Sequence, residues 1–168
     1  MAKAQEFSDE KAYKIALAKI RQWCASDEHC LWDVKQKLAR TGSTSSEIDR
    51  ILYLLTEEGF INENRYSLAF ASGKFKLLKW GKNKIAAEMR KKMISDRLIN
   101  AALNNIALDE YRGSLITLLN KKKRELRGET TSEMKQKLVR FALQKGYEAE
   151  MVYAILRITD ENFNEITL

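Results

Sequence analysis

Residues 31 to 59 read LWDVKQKLARTGSTSSEIDRILYLLTEEG. Val34 and Leu38 stand four apart, as apolar residues do on one helix face, and the segment from Leu31 to Arg40 runs out at Gly42, which adopts the left-handed C-cap conformation cheaply. Thr44 and Glu47 then have the spacing of a capping box, and Ile48, Ile51, Leu52 and Leu55 continue on one face until Gly59. The stretch is two amphipathic helices around a glycine turn. Ahead of it, Tyr13, Ala16, Leu17 and Ile20 form another helical stripe. Ser8 is the expected N-cap of that first helix, with Asp9 and Glu10 in its opening turn.

The same unit recurs. Val34, Leu38, Ile48, Ile51 and Leu52 shifted by 51 residues give Ile85, Met89, Ile99, Ala102 and Leu103. A further shift of 53 gives Leu138, Ala142, Val152, Ile155 and Leu156. All are apolar, and Gly42 maps onto Met93 and Gly146. The leading helices of the later units are expected at about 64–78, with Tyr66, Ala69, Phe70 and Phe75, and at about 109–127, closed by Gly128. Thr130 and Glu133 offer another capping box. The chain has no proline and only seven glycines in 168 residues, so little in it breaks helices. The expectation is an all-α protein of three tandem three-helix repeats: residues 1–61 with an N-terminal extension, 62–107, and 108–168 with a C-terminal tail. Each repeat is expected to lean on its neighbour for its core.

The charge is unevenly divided. Residues 1–63 hold nine basic against eleven acidic side chains, residues 64–127 sixteen against five, and residues 128–168 five against seven. Lys74, Lys76, Lys79, Lys82, Lys84, Arg90, Lys91, Lys92 and Arg97 make the densest basic region, and Lys121, Lys122, Lys123 and Arg124 a second. Such a block suits a polyanion or an acidic protein surface. For any single lysine a solvated helix face that keeps the protein soluble is the favoured explanation, and the second run also suits a helix C-terminus. Trp80, before Gly81, is expected to pack across a repeat junction, and Trp23 and Trp32 to serve the core or repeat contacts.

No catalytic constellation stands out. There is one histidine, His29, no phosphate loop, and no acid pair arranged for a metal; Glu57 and Glu58, adjacent on a helix, diverge by about 100°. Cys24, His29 and Cys30 match no closed zinc pattern, so neither metal nor cofactor is expected. No apolar run approaches the roughly 18 residues needed to cross a bilayer, and the N-terminal residues lack a signal peptide's apolar stretch. A cytoplasmic, non-enzymatic binding protein is expected, away from membranes. Without a heptad seam a monomer is the expected state.

The segment GFINENRYSLAFASGKFKLLKWGKNKIAAEM, Gly59 to Met89, resembles the central signature of the RecX family. The corner Gly59–Phe60–Ile61 leads into an acidic element reduced to Glu63 between Asn62 and Asn64, followed by Arg65, Tyr66, Ala69 and Phe70. Gly81, Lys84, Ile85, Glu88 and Met89 match the next family element. KQKLVRFALQKGY, Lys135 to Tyr147, resembles the family's basic helix ending in glycine and an aromatic. The resemblance covers roughly residues 10–158. It departs where one acid stands for two, where Met93 replaces a turn glycine, and where no proline follows Gly81. It implies an elongated, curved helical stack that sits in the groove of a RecA–DNA filament and lowers recombinase and coprotease activity. Two other readings stay open: a helical protein that binds DNA directly through the basic block, and a helical-repeat adaptor whose charge serves solubility.

Overall fold

The computed structural model describes residues 2–128 and 130–158, with the side chains of 2–9, Lys11 and Ile158 left aside; the expected C-terminal tail lies outside the described residues. Within them the chain is all-α. α1 (Ala2–Ser26), α2 (Leu31–Arg40) and α3 (Ser45–Glu57) form the first unit. α4 (Glu63–Leu78), α5 (Lys82–Lys91) and α6 (Asp96–Asn104) form the second, and α7 (Leu108–Glu125), α8 (Thr131–Lys145) and α9 (Ala149–Ile158) the third.

Local chemistry explains most boundaries. Thr44 and Thr130 cap α3 and α8 through reciprocal bonds with Glu47 and Glu133. Asn62 caps α4, its Oδ1 accepting from the Arg65 N–H at 2.9 Å. Ser8 is not a cap: α1 starts at Ala2 and runs straight through it. The preceding Ala-Lys-Ala-Gln-Glu stretch consists of strong helix formers, and their propensity outweighs one capping side chain. α7 is slightly shorter than expected, with Leu126 at its C-cap.

Of the fifteen register positions, every one except the half-buried Leu52 is buried. The turn between second and third helices is also kept, with Gly42 at φ 83°, Met93 at 63° and Gly146 at 90°. Met93 holds a left-handed backbone that strains most side chains, and with 80% of it exposed its side chain meets no neighbour that would add a clash.

The cores are unequal. Leu17, Ile20, Cys24, Val34, Leu38, Ile48, Ile51, Leu55 and Ile61 form a core belonging to the first unit. The second and third units share one core, from Tyr66 through Phe75, Met89 and Tyr111 to Leu156, joined from the first unit by Cys30. The first repeat therefore buries its own apolar face, against the expectation that each repeat needs its neighbour. Its α1 is long enough to cover α2 and α3.

Candidate binding surface at the α4–α5 corner

The corner exists because α5 begins where α8 ends. The Gly81 N–H donates to the Lys145 carbonyl at 2.8 Å and the Asn83 N–H to that of Gly146 at 3.0 Å. The Lys82 N–H donates to the Tyr111 hydroxyl at 2.9 Å, and that hydroxyl donates to Glu148 Oε2 at 2.6 Å. The unpaired amides of a helix N-terminus thus meet the unpaired carbonyls of a helix C-terminus, and the two dipoles attract. A Cβ on Gly81 would lie 2.2 Å from the Gly146 backbone, so only glycine permits this approach.

Around this corner the lysines gather on aromatic rings. Lys74 and Lys84 hold their ammonium groups over the Trp80 ring, at 5.2 and 4.7 Å from its centroid. Lys79 lies over Phe75 at 5.9 Å and Lys82 over Tyr111 at 5.1 Å, these two rings being 5.7 Å apart. Lys79 is the C-cap of α4 in a left-handed conformation, which turns the chain sharply and brings Trp80 and Lys84 back beside Lys74. Trp80 packs on the shared core of the second and third units, as its place at a repeat junction predicts. Among the described residues, no carboxylate is within ion-pairing distance of Lys74, Lys76, Lys79, Lys82, Lys84 or Arg97.

The other basic residues lie elsewhere or are engaged. Arg90 pairs with Asp96 at 2.8 Å and Lys91 with Glu88 at 2.6 Å, near the α5–α6 turn. Glu88 is held below the ordinary carboxylate range chiefly by Lys91, with Lys84 and Lys74 adding to the field. Lys92 is paired with Asp33 of α2 and lies over Trp32 at 5.2 Å, so it joins the first unit to the second. On α7, Lys122 pairs with Glu125 at 2.9 Å, Lys123 is half-buried with its pKa lowered by that burial, and Lys121 and Arg124 are exposed. The nine-residue basic run is thus two groups at opposite ends of α5, with Arg97 beyond on α6.

Two exposed leucines sit in the first group, Leu77 at 83% and Leu78 at 43%. They were not among the residues singled out from the sequence, and the helical phase gives only half a signal: Leu77 is two positions, about 200°, from the buried Phe75 but eleven positions, about 20°, from the buried Tyr66.

The remaining chemistry is structural. Burial pushes the thiols of Cys24 and Cys30 up to about 11, so both stay protonated at neutral pH and are poor nucleophiles. The His29 ring stacks on Trp23, 3.5 Å between centroids, with Lys37 over the same indole at 4.3 Å. A cleft of about 780 Å³ beside α1, lined by Tyr13, Ile15, Lys37 and Leu38, contains among the described residues a single carboxylate, Glu47, which is committed to capping α3. Among the described residues no helix is long and apolar enough to cross a membrane.

Residues 62–103 match the family profile of the RecX second three-helix domain, and residues 109–156 that of the RecX third three-helix domain. The chain belongs to the RecX family. Curated relatives agree. The regulatory protein RecX of Geobacillus kaustophilus is 28% identical over 152 residues, covering 89% of this chain and 55% of that protein. That of Clostridium tetani is 30% identical over 125 residues, covering 73% and 57%. The chain thus spans somewhat over half the length of these relatives. A crystal structure of RecX from Lactobacillus salivarius superposes with a TM-score of 0.76 at 20% identity, over 91% of this chain and 97% of that one. A crystal structure of a regulatory protein RecX gives 0.82 at 17% identity, over 92% and 76%. At these identities the structures establish the shared all-helical fold. The family profiles place the α4–α5 corner, with Gly81, in the second RecX domain and Gly146 in the third.

Proposed function

We propose that this chain is a regulator that binds the RecA–DNA filament and restrains it, using the lysines of the α4–α5 corner in the middle repeat, residues 62–107, as its main contact. The observation that carries this reading is a cluster of cations, Lys74, Lys76, Lys79, Lys82 and Lys84, none of them in an ion pair among the described residues, in a chain whose relatives are named regulatory proteins. Unneutralised charge held on a rigid corner raises association rates with an anionic partner. The chain itself performs no chemistry in this reading. Any change in ATP turnover belongs to the filament, no cofactor takes part, and the protein acts as a cytoplasmic monomer.

The test replaces Lys74, Lys79, Lys82 and Lys84 by glutamine, which is about as good a helix former as lysine. Inhibition of RecA-driven strand exchange should weaken at least tenfold, in the range that separates rim contacts from hot spots, and its salt dependence should flatten. Glu150→Gln, on the exposed side of α9, should leave inhibition unchanged. A folded four-site variant that inhibits as well as its parent at every salt concentration would shift the contact to Lys121 through Arg124. Tight binding of the parent to bare DNA, equal to its binding to filaments, would favour direct DNA binding instead.

A further inference from the structure

The outer face of α4 carries a feature that phosphate binding does not use. Ala69, Gly73 and Leu77 follow one another at four-residue intervals on the side away from the buried Ala71 and Phe75, in line with Tyr66, which is buried earlier on the same side of the helix. Ala69 is exposed, and a Cβ on Gly73 would meet nothing within 4 Å. The chain's own packing therefore gives no reason for a glycine in the middle of a helix, where it costs stability. This small-residue path ends on Leu77, the most exposed of the large hydrophobic residues described, with Leu78 beside it and Lys74, Lys76 and Lys79 around them.

An apolar anchor at the end of a close-approach path, rimmed by cations that form no ion pair among the described residues, has the anatomy of a protein-binding hot spot: an apolar centre that is desolvated on docking and a charged rim that steers. A phosphate backbone offers no recess for leucine and gains nothing from a helix face cleared of side chains. We infer that the α4 outer face docks an acidic protein surface that has an apolar recess for Leu77, with the surrounding lysines meeting carboxylates and not phosphates. This inference rests on the proposed filament reading and names the side of the filament, protein rather than nucleic acid, that this corner contacts.

The experiment uses the full chain with three probes: RecA assembled on single-stranded DNA with a non-hydrolysable nucleotide, RecA alone, and the same DNA without RecA. Leu77→Gln removes the anchor from a side chain that contributes little to the fold. Gly73→Gln obstructs the path while improving helix propensity, so its melting temperature should hold or rise. Both variants should bind the filament at least tenfold more weakly than the parent, the loss expected for a hot-spot anchor, with the remaining affinity as salt-dependent as the parent's. Their affinity for bare DNA should stay within twofold. Undiminished filament binding by both variants overturns this inference alone, and so does a loss on bare DNA equal to that on the filament. A parent that binds neither RecA nor the filament overturns the filament reading and this inference with it. A loss on RecA without DNA as large as on the filament supports the docking surface most directly.

Discussion

The two junctions between repeats are built from different materials. The second and third units meet through backbone and rings: Gly81 on Gly146, the Lys82 amide on Tyr111, and Phe75, Tyr111 and Tyr147 in a row with centroids 5.7 and 4.9 Å apart. The first and second units meet largely through charge, with Glu28 on Arg65 at 2.5 Å and Asp33 on Lys92, beside Cys30, whose thiol donates to Asp33 at 3.2 Å. The first kind of contact tolerates salt and admits almost no change of shape. The second is screened by salt and can loosen with the first unit's own core intact, at the cost only of the Cys30 contact with the shared core. A helical stack of one repeated unit can therefore be rigid at one joint and adjustable at the next, and the rigid joint is the one that carries the lysine corner.

The largest expected effect comes from Gly81→Ala. The added Cβ would lie 2.2 Å from the backbone of Gly146 and Tyr147, so either α5 or α8 must shift. The expected cost is about 3 kcal/mol, the range of severe overpacking. In hydrogen exchange α4 to α9 should lose protection, whereas α1 to α3, with their separate core, should keep theirs. A uniform loss across the chain would show that the two cores are one cooperative unit and would break the comparison. Lys92→Met should have the reverse distribution and a smaller size. The Lys92–Asp33 pair is partly shielded, with 24% and 17% of the two side chains exposed, so its removal should cost about 1 kcal/mol, between an exposed pair and a buried one. The loss should fall on the protection of α1 to α3 and should shrink as salt rises. A salt-independent loss spread over α7 to α9 would mean that charge is not what couples the first unit.

How much of this was legible beforehand follows from the range of each interaction. The capping boxes at Thr44 and Thr130, the helix phases and the apolar register are local or periodic, and they appear in the structure as the residues predict. Ser8 misled because a cap is one side chain against a run of helix formers. Met93 hid a conserved conformation behind a changed residue, since the repeat's geometry, not the side chain, sets that turn. The reason for Gly81 lies in Gly146, in another repeat, and no pattern near Gly81 reveals it. For the candidate site the sequence located the basic block but could not divide it. Lys92 and Lys84 look alike in a charge count, yet one is tied to Asp33 across 59 positions and the other stands over Trp80 in no ion pair among the described residues. Leu77 is opposite Phe75 but in phase with Tyr66, so the helical period left its exposure open, and the lysines around it drew the reading to charge.

The smallest effect, and the one that sharpens the contrast between the joints, is on pH. His29 sits in the turn between α1 and α2, and burial lowers its pKa below the ordinary value near 6.5, with Lys37 and Lys92 adding to the lowering while Asp27 and Asp33 oppose it. A histidine whose folded pKa is depressed binds fewer protons folded than unfolded within that interval, so stability rises with pH there. Its contribution is complete above about 6.5 and is lost as pH falls toward the folded value. Glu63, at the start of α4, acts in the opposite sense: burial raises its pKa, so its neutral form favours the fold at lower pH. Urea titrations at pH 7.5 and pH 5.5, followed by tryptophan fluorescence, should show a lower midpoint at the acid value. His29→Gln should remove most of that difference, because glutamine cannot titrate, and leave the opposing trend from Glu63 beside the small acid sensitivity of carboxylates held low, such as Glu47, Glu88 and Glu133. Hydrogen exchange at the two pH values, corrected for intrinsic rates, should place the acid-sensitive loss in α1 to α3. An acid-labile α7 to α9, or a His29→Gln variant with the parent's pH dependence, would put the titrating group at the other joint and remove the charge-based account of the first.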